Sequence, residues 1–385
     1  MYIGLLTIIY IAFIGLGLPD SMFGTAWPAI YQQWELPVYL GSFVTSITYF
    51  GTMLSSLLTT KVIKRFGTGR TAAFSTAFTA LAMMGFAYST EYWMLCMCAI
   101  PLGLGAGAID TALNNYVASN YSVRHMNYLH CFYGIGIVVS PFVLSKVMHG
   151  TDGWSEGYLI VCGIQATIAI LLFSTLPLWK IEKSTISDDE IETIPLRKLT
   201  KMKNVRLMWG LFATSYTIEA ACGCYGSSFL VNQKMLSVET AALVILCYFA
   251  GIAIGRFISG IIAEEIGTWK VIIYCEFILG IGILTIILAD TIILTAIGLL
   301  FIGLGNGPLF PNFSYLAPMI FGKRKSAAVI GSFMAVTSLT GITAPILCGI
   351  LGMEFFPCFL LSFFVGMAIV TVTANKTFFI KAANT

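Results

Sequence analysis

One pattern occurs twice in this chain, 200 residues apart. Gly103-Leu104-Gly105-Ala106-Gly107 returns as Gly303-Leu304-Gly305-Asn306-Gly307, and Phe66-Gly67-Thr68-Gly69-Arg70 returns as Ile266-Gly267-Thr268-Trp269-Lys270. Tyr49-Phe50-Gly51 lies opposite Phe249-Ala250-Gly251 at the same offset. Glycines and helix-end cations that recur at one offset over three stretches point to an internal duplication, so any fold for this chain has to be built from two like halves. The copies also differ. Asp110 in the first faces Phe310 in the second, which sets that carboxylate apart from the shared scaffold.

Hydrophobic residues make up 58% of the 385 and charged residues 10%. Soluble domains carry about 25% charged residues, so the solvent for most of this surface is lipid. A helix needs about 20 apolar residues to cross a bilayer. Segments of that size lie near 3–30, 39–62, 70–89, 92–118, 126–148, 155–179, 206–232, 238–263, 270–289, 292–320, 326–352 and 357–379. That gives an all-α membrane protein of twelve transmembrane helices, six in each half. The first apolar run is long, interrupted by polar residues and without a small-residue cleavage site, so it reads as a span rather than a signal peptide. The ten cysteines all fall in apolar stretches without Cys-x-x-Cys or histidine spacing and read as small core residues, with no metal or cofactor expected.

The longest polar stretch, 180–205, carries Asp188, Asp189, Glu190 and Glu192 followed by Arg197, Lys198, Lys201 and Lys203. It divides the chain into halves 1–179 and 206–385. Of the 21 Lys and Arg residues, Arg256 lies inside a span and only Lys146 and Lys234 fall in loops on the side away from the termini. The other eighteen share the side of the termini, which the positive-inside rule makes cytoplasmic. The expectation is a multi-pass protein of the cell (plasma or inner) membrane. The cations belong to short loops between helices, so the net charge of +3 gives no indication of nucleic-acid binding.

Six plus six helices in parallel repeat around a cytoplasmic linker resemble the major facilitator superfamily. The loops after the second and eighth spans resemble its Gly-x-x-x-Asp-Arg-x-Gly-Arg-Arg motif. The second copy is the nearer match, with Gly255-Arg256, Gly260, Glu264, Gly267 and Lys270; the first keeps Arg65, Gly67 and Arg70 but has Lys64 at the acidic position. The resemblance implies cytoplasmic gating contacts for Arg65, Gly67, Arg70, Arg256, Glu264, Gly267 and Lys270, and a monomer.

Ionisable groups within the membrane are costly and mark functional sites. Five acids or imidazoles lie well inside spans: Asp20, Asp110, His130, Glu219 and Glu276. Asp20 follows Pro19, which removes a backbone donor and is expected to break the first helix beside the acid. Gly103, Gly107, Asp110 and Asn114 share one helical face, as do Asn127, His130 and Gly134 on the fifth span. Asp20-x-x-x-Gly24 in the first span parallels Glu219-x-x-x-Gly223 in the seventh. Glu276, about two turns into the ninth span, is expected to partner Arg256 or a loop cation in a structural role. Trp34, Trp93 and Trp154 read as interface anchors, and Trp27 as core or, alternatively, a sugar-stacking ring.

Ile109-Asp110-Thr111-Ala112-Leu113-Asn114-Asn115-Tyr116-Val117 resembles the Leu-Glu-Thr-Ala-Ala-Asn-Pro-Tyr-Val motif of the fucose–proton symporter family, with Asp for Glu and Asn115 for proline. Leu129 to Gly136, ending in Ser140-Pro141, resembles that family's fifth helix. The resemblance implies proton coupling at Asp110 and sugar contact at Asp20. With the first, fourth, seventh and tenth helices lining a central cavity, Asp20, Asn114, Asn127, Glu219, Asn306 and Asn312 become candidate solute ligands. Asp110, Glu219 and His130 become candidate proton carriers. Without a nucleophile–base pair, nucleotide loop or sizeable soluble domain, the chain reads as a transporter and not an enzyme: proton-coupled uptake of a sugar or similar small polar solute, or alternatively an efflux antiporter for drugs or metabolites.

Overall fold

The computed structural model describes residues 3–121, 123–179 and 194–380, so the acidic part of the linker lies outside the described residues. The first half holds α1 (Ile3–Gln33), α2 (Gly41–Phe66), α3 (Thr68–Ala87), α4 (Tyr92–Asn120), α5 (Val123–Val147) and α6 (Trp154–Ser174). A short α7 (Leu196–Leu199) precedes the second half. That half holds α8 (Lys203–Gln233), α9 (Val238–Ile266), α10 (Thr268–Leu288), α11 (Ile292–Asn306), α12 (Leu309–Phe321), α13 (Lys323–Leu351) and α14 (Phe356–Asn375). Twelve spans result, because α11 and α12 together make the tenth. Among the described residues, nine stretches are long and apolar enough to cross a membrane on composition alone. The three that fall short, α2, α3 and α8, are helices of 26, 20 and 31 residues whose serines and threonines dilute their hydropathy.

Those hydroxyls are used in packing. On α2, Thr52 donates to the Gly103 carbonyl at 3.2 Å, Ser55 to Leu104 at 2.6 Å and Ser56 to Gly107 at 3.3 Å on α4. Glycine on α4 permits this approach: a Cβ on Gly103 would stand 2.2 Å from the Thr48 carbonyl oxygen. The second half repeats the arrangement, where a Cβ on Gly303 would stand 2.0 Å from the Tyr248 carbonyl oxygen. Close backbone approach through small residues and hydroxyl donors is how helices associate in lipid. The duplicated glycines are therefore seats for the second and eighth spans. The turns repeat as well. Gly67 at φ +82° joins α2 to α3, and Gly267 at φ +88° joins α9 to α10, a region costly for any residue with a Cβ.

The expected break beside Asp20 is absent. Helix α1 runs unbroken through Pro19 and Pro28, each removing one donor without ending the helix. The interruption is in the tenth span, at Gly307-Pro308.

The halves meet mainly at the end away from the termini. There α1 crosses α8 so closely that a Cβ on Gly24 would fall 1.8 Å from the Gly223 carbonyl oxygen. Asn232 donates to the Tyr31 hydroxyl at 2.8 Å, Tyr225 donates to the Tyr39 carbonyl at 3.0 Å, and Ser46 donates to the Ile342 carbonyl at 2.9 Å. The backbone N–H of Gly150 donates to Glu239. Toward the termini, α4 makes no substantial packing contact with α11 or α12 among the described residues. Asp20, midway along α1, is exposed although Leu18, Ser21 and Met22 beside it are buried, so a cleft reaches it from between the helices.

Candidate functional site

Four side chains from four helices form one chain across the two halves. On the first half, the Tyr133 hydroxyl of α5 donates to Asp20 Oδ2 of α1 at 2.6 Å. On the second, Arg256 Nη2 of α9 meets Glu219 Oε1 of α8 at 3.3 Å. The junction is the Arg256 guanidinium over the Tyr133 ring, 5.7 Å from its centroid, a cation–π contact between the halves. Tyr49 of α2 and Tyr216 of α8 add a second inter-half contact, their rings edge to face at 6.1 Å.

The break in the tenth span holds the arginine in place. In a helix each carbonyl accepts from the N–H four residues on. For Gly307 that residue is Pro311, which has no N–H. The freed Gly307 carbonyl accepts from Arg256 Nε at 3.0 Å. Beside it, Asn306 donates to Glu219 Oε2 at 3.5 Å and accepts from Ser215 at 3.0 Å, while the Tyr248 hydroxyl donates to the Glu219 carbonyl at 3.4 Å. Glu219 is thus tied to α9 and α11.

Asp110 has a different setting. Its partner is the amide of Asn114 one turn along the same helix, donating to Oδ1 at 2.8 Å. The acid and amide bond each other rather than the helix packed on Gly103 and Gly107.

The remaining candidates separate by position. Asn306 is buried and reaches the site through Glu219. Asn312 does not line the cleft: it is buried and donates to Ser259 at 2.8 Å and to the Pro308 carbonyl at 2.7 Å, closing the space between α9 and α12. His130 is half-buried, edge-on to Phe13 with ring centroids 6.0 Å apart. The side chain of Asn127 lies outside the described residues. Arg256 does not sit with the loop motif at the helix end but ten residues before it, in the central site. Arg65, Arg70, Glu264 and Lys270 are exposed at the turns, and among the described residues none of them joins an ion pair. Among the described residues Glu276 pairs with neither Arg256 nor a loop cation; it is buried and accepts from Thr371 of α14. Trp27 is core, its Nε1 bonded to the Val38 carbonyl at 2.8 Å, and Trp154 is buried with its Nε1 on Gln33. Sequence reasoning assigned no role to Tyr133 or Tyr49; the available signal was Arg256 itself, a lone cation deep in an apolar helix that requires a partner and a π face.

The family model of the Major Facilitator Superfamily matches residues 9–232 and 221–381, nearly the whole chain in two consecutive pieces. The protein belongs to the Major Facilitator Superfamily. Its members are transporters, and the chain is a multi-pass membrane transporter and not an enzyme. Two curated relatives extend over most of it. Bypass of stop codon protein 6 of Saccharomyces cerevisiae is 23% identical over 390 residues, covering 90% of this chain and 77% of the yeast protein. The glucose/mannose transporter GlcP of Bacillus subtilis is 22% identical over 354 residues, covering 88% and 86%. Among solved structures, a mutant of the nucleoside transporter NupG superposes with a TM-score of 0.79 at 13% identity, covering 97% of this chain and 99% of that one. At that identity the likeness is one of fold. The superfamily architecture places Asp20 and the Arg256–Glu219 pair at the seam between its two halves, about midway along their helices.

Proposed function

We propose that the protein takes up a sugar or similarly polar small solute together with protons, by alternating access. The observation that carries this reading is the acid–tyrosine–arginine–acid chain at the seam of the halves, with Asp20 open to the cleft. Carboxylates accept hydroxyl donors, and aromatic rings and amides provide further polar and stacking surface, which suits a neutral polyhydroxylated solute. The extent of the match to a glucose/mannose transporter supports the same class.

With the termini on the cytoplasmic side, as the loop cations favour, the contacts between the halves close the outer side and the cleft faces the cytoplasm. In the outward form, a proton binds at Asp110 or Glu219 and the solute binds at a site that includes Asp20 and Asn114. Neutralising a buried acid lowers the cost of enclosing it, so proton and solute favour the same transition. The halves rock about the central site, and the proton and solute leave to the cytoplasm.

The test is reconstitution in liposomes with a pH-sensitive dye inside and a panel of sugars outside, without an imposed gradient. The expected outcome is internal acidification triggered by a sugar and lost in Asp110→Asn. Silence toward every sugar, with proton release driven by hydrophobic cations, would replace uptake by efflux antiport.

A further inference from the structure

Among the described residues the two halves bring three carboxylates to the site but one cation, and the cation is committed to one of them. Arg256 meets Glu219 at 3.3 Å, is tethered through Nε to the Gly307 carbonyl, and has its face against Tyr133. Three directions of restraint keep it from swinging to another acid. Other groups that face the pair are Asp20 from α1, Tyr49 from α2 and His130 from α5. Cys131 of α5, Tyr216 and Cys222 of α8 and Tyr248 of α9 complete the surroundings, with the amide of Asn306 from α11. None of these is a second cation at neutral pH unless His130 takes up a proton. Among the described residues Asp110 bonds the Asn114 amide alone, and Asp20 is a like charge within its electrostatic reach.

We propose that Arg256 is a positioning residue that holds Glu219 as a permanent carboxylate, so that Glu219 takes solute hydroxyls while the moving proton is left to Asp110. The proposal rests on the uptake reading above and assigns different tasks to acids that sequence reasoning leaves interchangeable. Arginine does not give up its proton in proteins. A carboxylate fixed against it keeps its charge, because a proton on Glu219 would leave the guanidinium buried without a counter-ion. Asp110 has no such constraint: a proton there removes an uncompensated charge and strands no partner. Arg256 therefore limits the number of protons that the site can load.

The test reads protonation directly and needs no solute. Infrared difference spectra of liposome-reconstituted protein, stepped between acid and alkaline pH, report the carbonyl stretch of each carboxyl group that gains or loses a proton. Expected is a titrating band lost in Asp110→Asn and unchanged in Glu219→Gln. Arg256→Gln gains a band that a further Glu219→Gln removes, while Arg256→Lys, which keeps the charge, gains none. A titrating band in the unaltered protein that disappears with Glu219→Gln overturns the proposal, as does an Arg256→Gln spectrum without a new band. Should either single variant fail to fold, the Arg256→Gln/Glu219→Gln double variant, which buries no charge at the pair, decides: losing a titrating band relative to the unaltered protein refutes the proposal, and retaining all of them supports it. Because no sugar is present, silence in the dye assay with these spectra intact would reject sugar uptake alone.

Discussion

The first and second halves share a scaffold and differ in how they treat charge. Gly103 and Gly303 seat α2 and α9 in the same way, and Gly67 and Gly267 make the same turn at nearly the same φ. In the second half the half-buried acid Glu219 has a guanidinium and an amide against it, and the guanidinium is tethered to a carbonyl. In the first, Asp20 and Asp110 rest on a phenol and an amide, both neutral. Duplication supplies the frame, and later divergence the asymmetry in charge. On the proposed reading, one half holds a fixed charge while the other exchanges one.

The comparison breaks most sharply at the ion pair. Glu219→Gln leaves the half-buried Arg256 without its counter-ion and should destabilise the fold by about 3 kcal/mol, the low end for breaking a buried pair. Thermal unfolding in detergent measures it, and removing both charges with Arg256→Gln/Glu219→Gln should recover most of the loss. Equal losses in the single and double variants would mean that the pair carries no electrostatic coupling. Next come the shared seats: Gly103→Ala and Gly303→Ala each force a Cβ onto a carbonyl and should each cost about 1–3 kcal/mol. A cost in one half alone would show that the repeat is not mechanically equivalent. The turns are expected to follow, with Gly67→Ala and Gly267→Ala costing about 1–2 kcal/mol each for a left-handed backbone. The smallest effect on stability is expected from Asp110→Asn, within about 1 kcal/mol because the new amide keeps an oxygen that can accept from Asn114. That same variant should reduce proton-driven accumulation to background, so stability and transport would rank the two acids in opposite order.

Much of the frame was legible in the residues. The repeat fixed the pairing of halves, and apolar length placed the spans to within a few residues of the helices found. What was not legible depends on depth and on partners. Arg256 follows Gly255 in a stretch that resembles a loop motif, and adjacency in sequence drew it toward the helix end, whereas ten residues of helix separate it from that end, about 15 Å. Asn312 carries a polar amide on a cavity-lining span, but Ser259 across the packing face takes it up. Pro19 and the Pro308/Pro311 pair look alike as helix breakers. A lone proline costs a helix one donor and is absorbed, whereas two prolines after Gly307 remove two bonds in succession and open the ladder.

That opening means the arginine's address is written in a residue that bonds to it nowhere. Gly307 has its oxygen free of the helix ladder because position 311 is an imino acid, and the guanidinium takes it without a backbone competitor. Restoring an N–H with Pro311→Ala would let the backbone compete for the oxygen and weaken one of the three restraints on Arg256. A carrier of this kind can be retuned at its centre by a change one helical turn away, made entirely in the main chain.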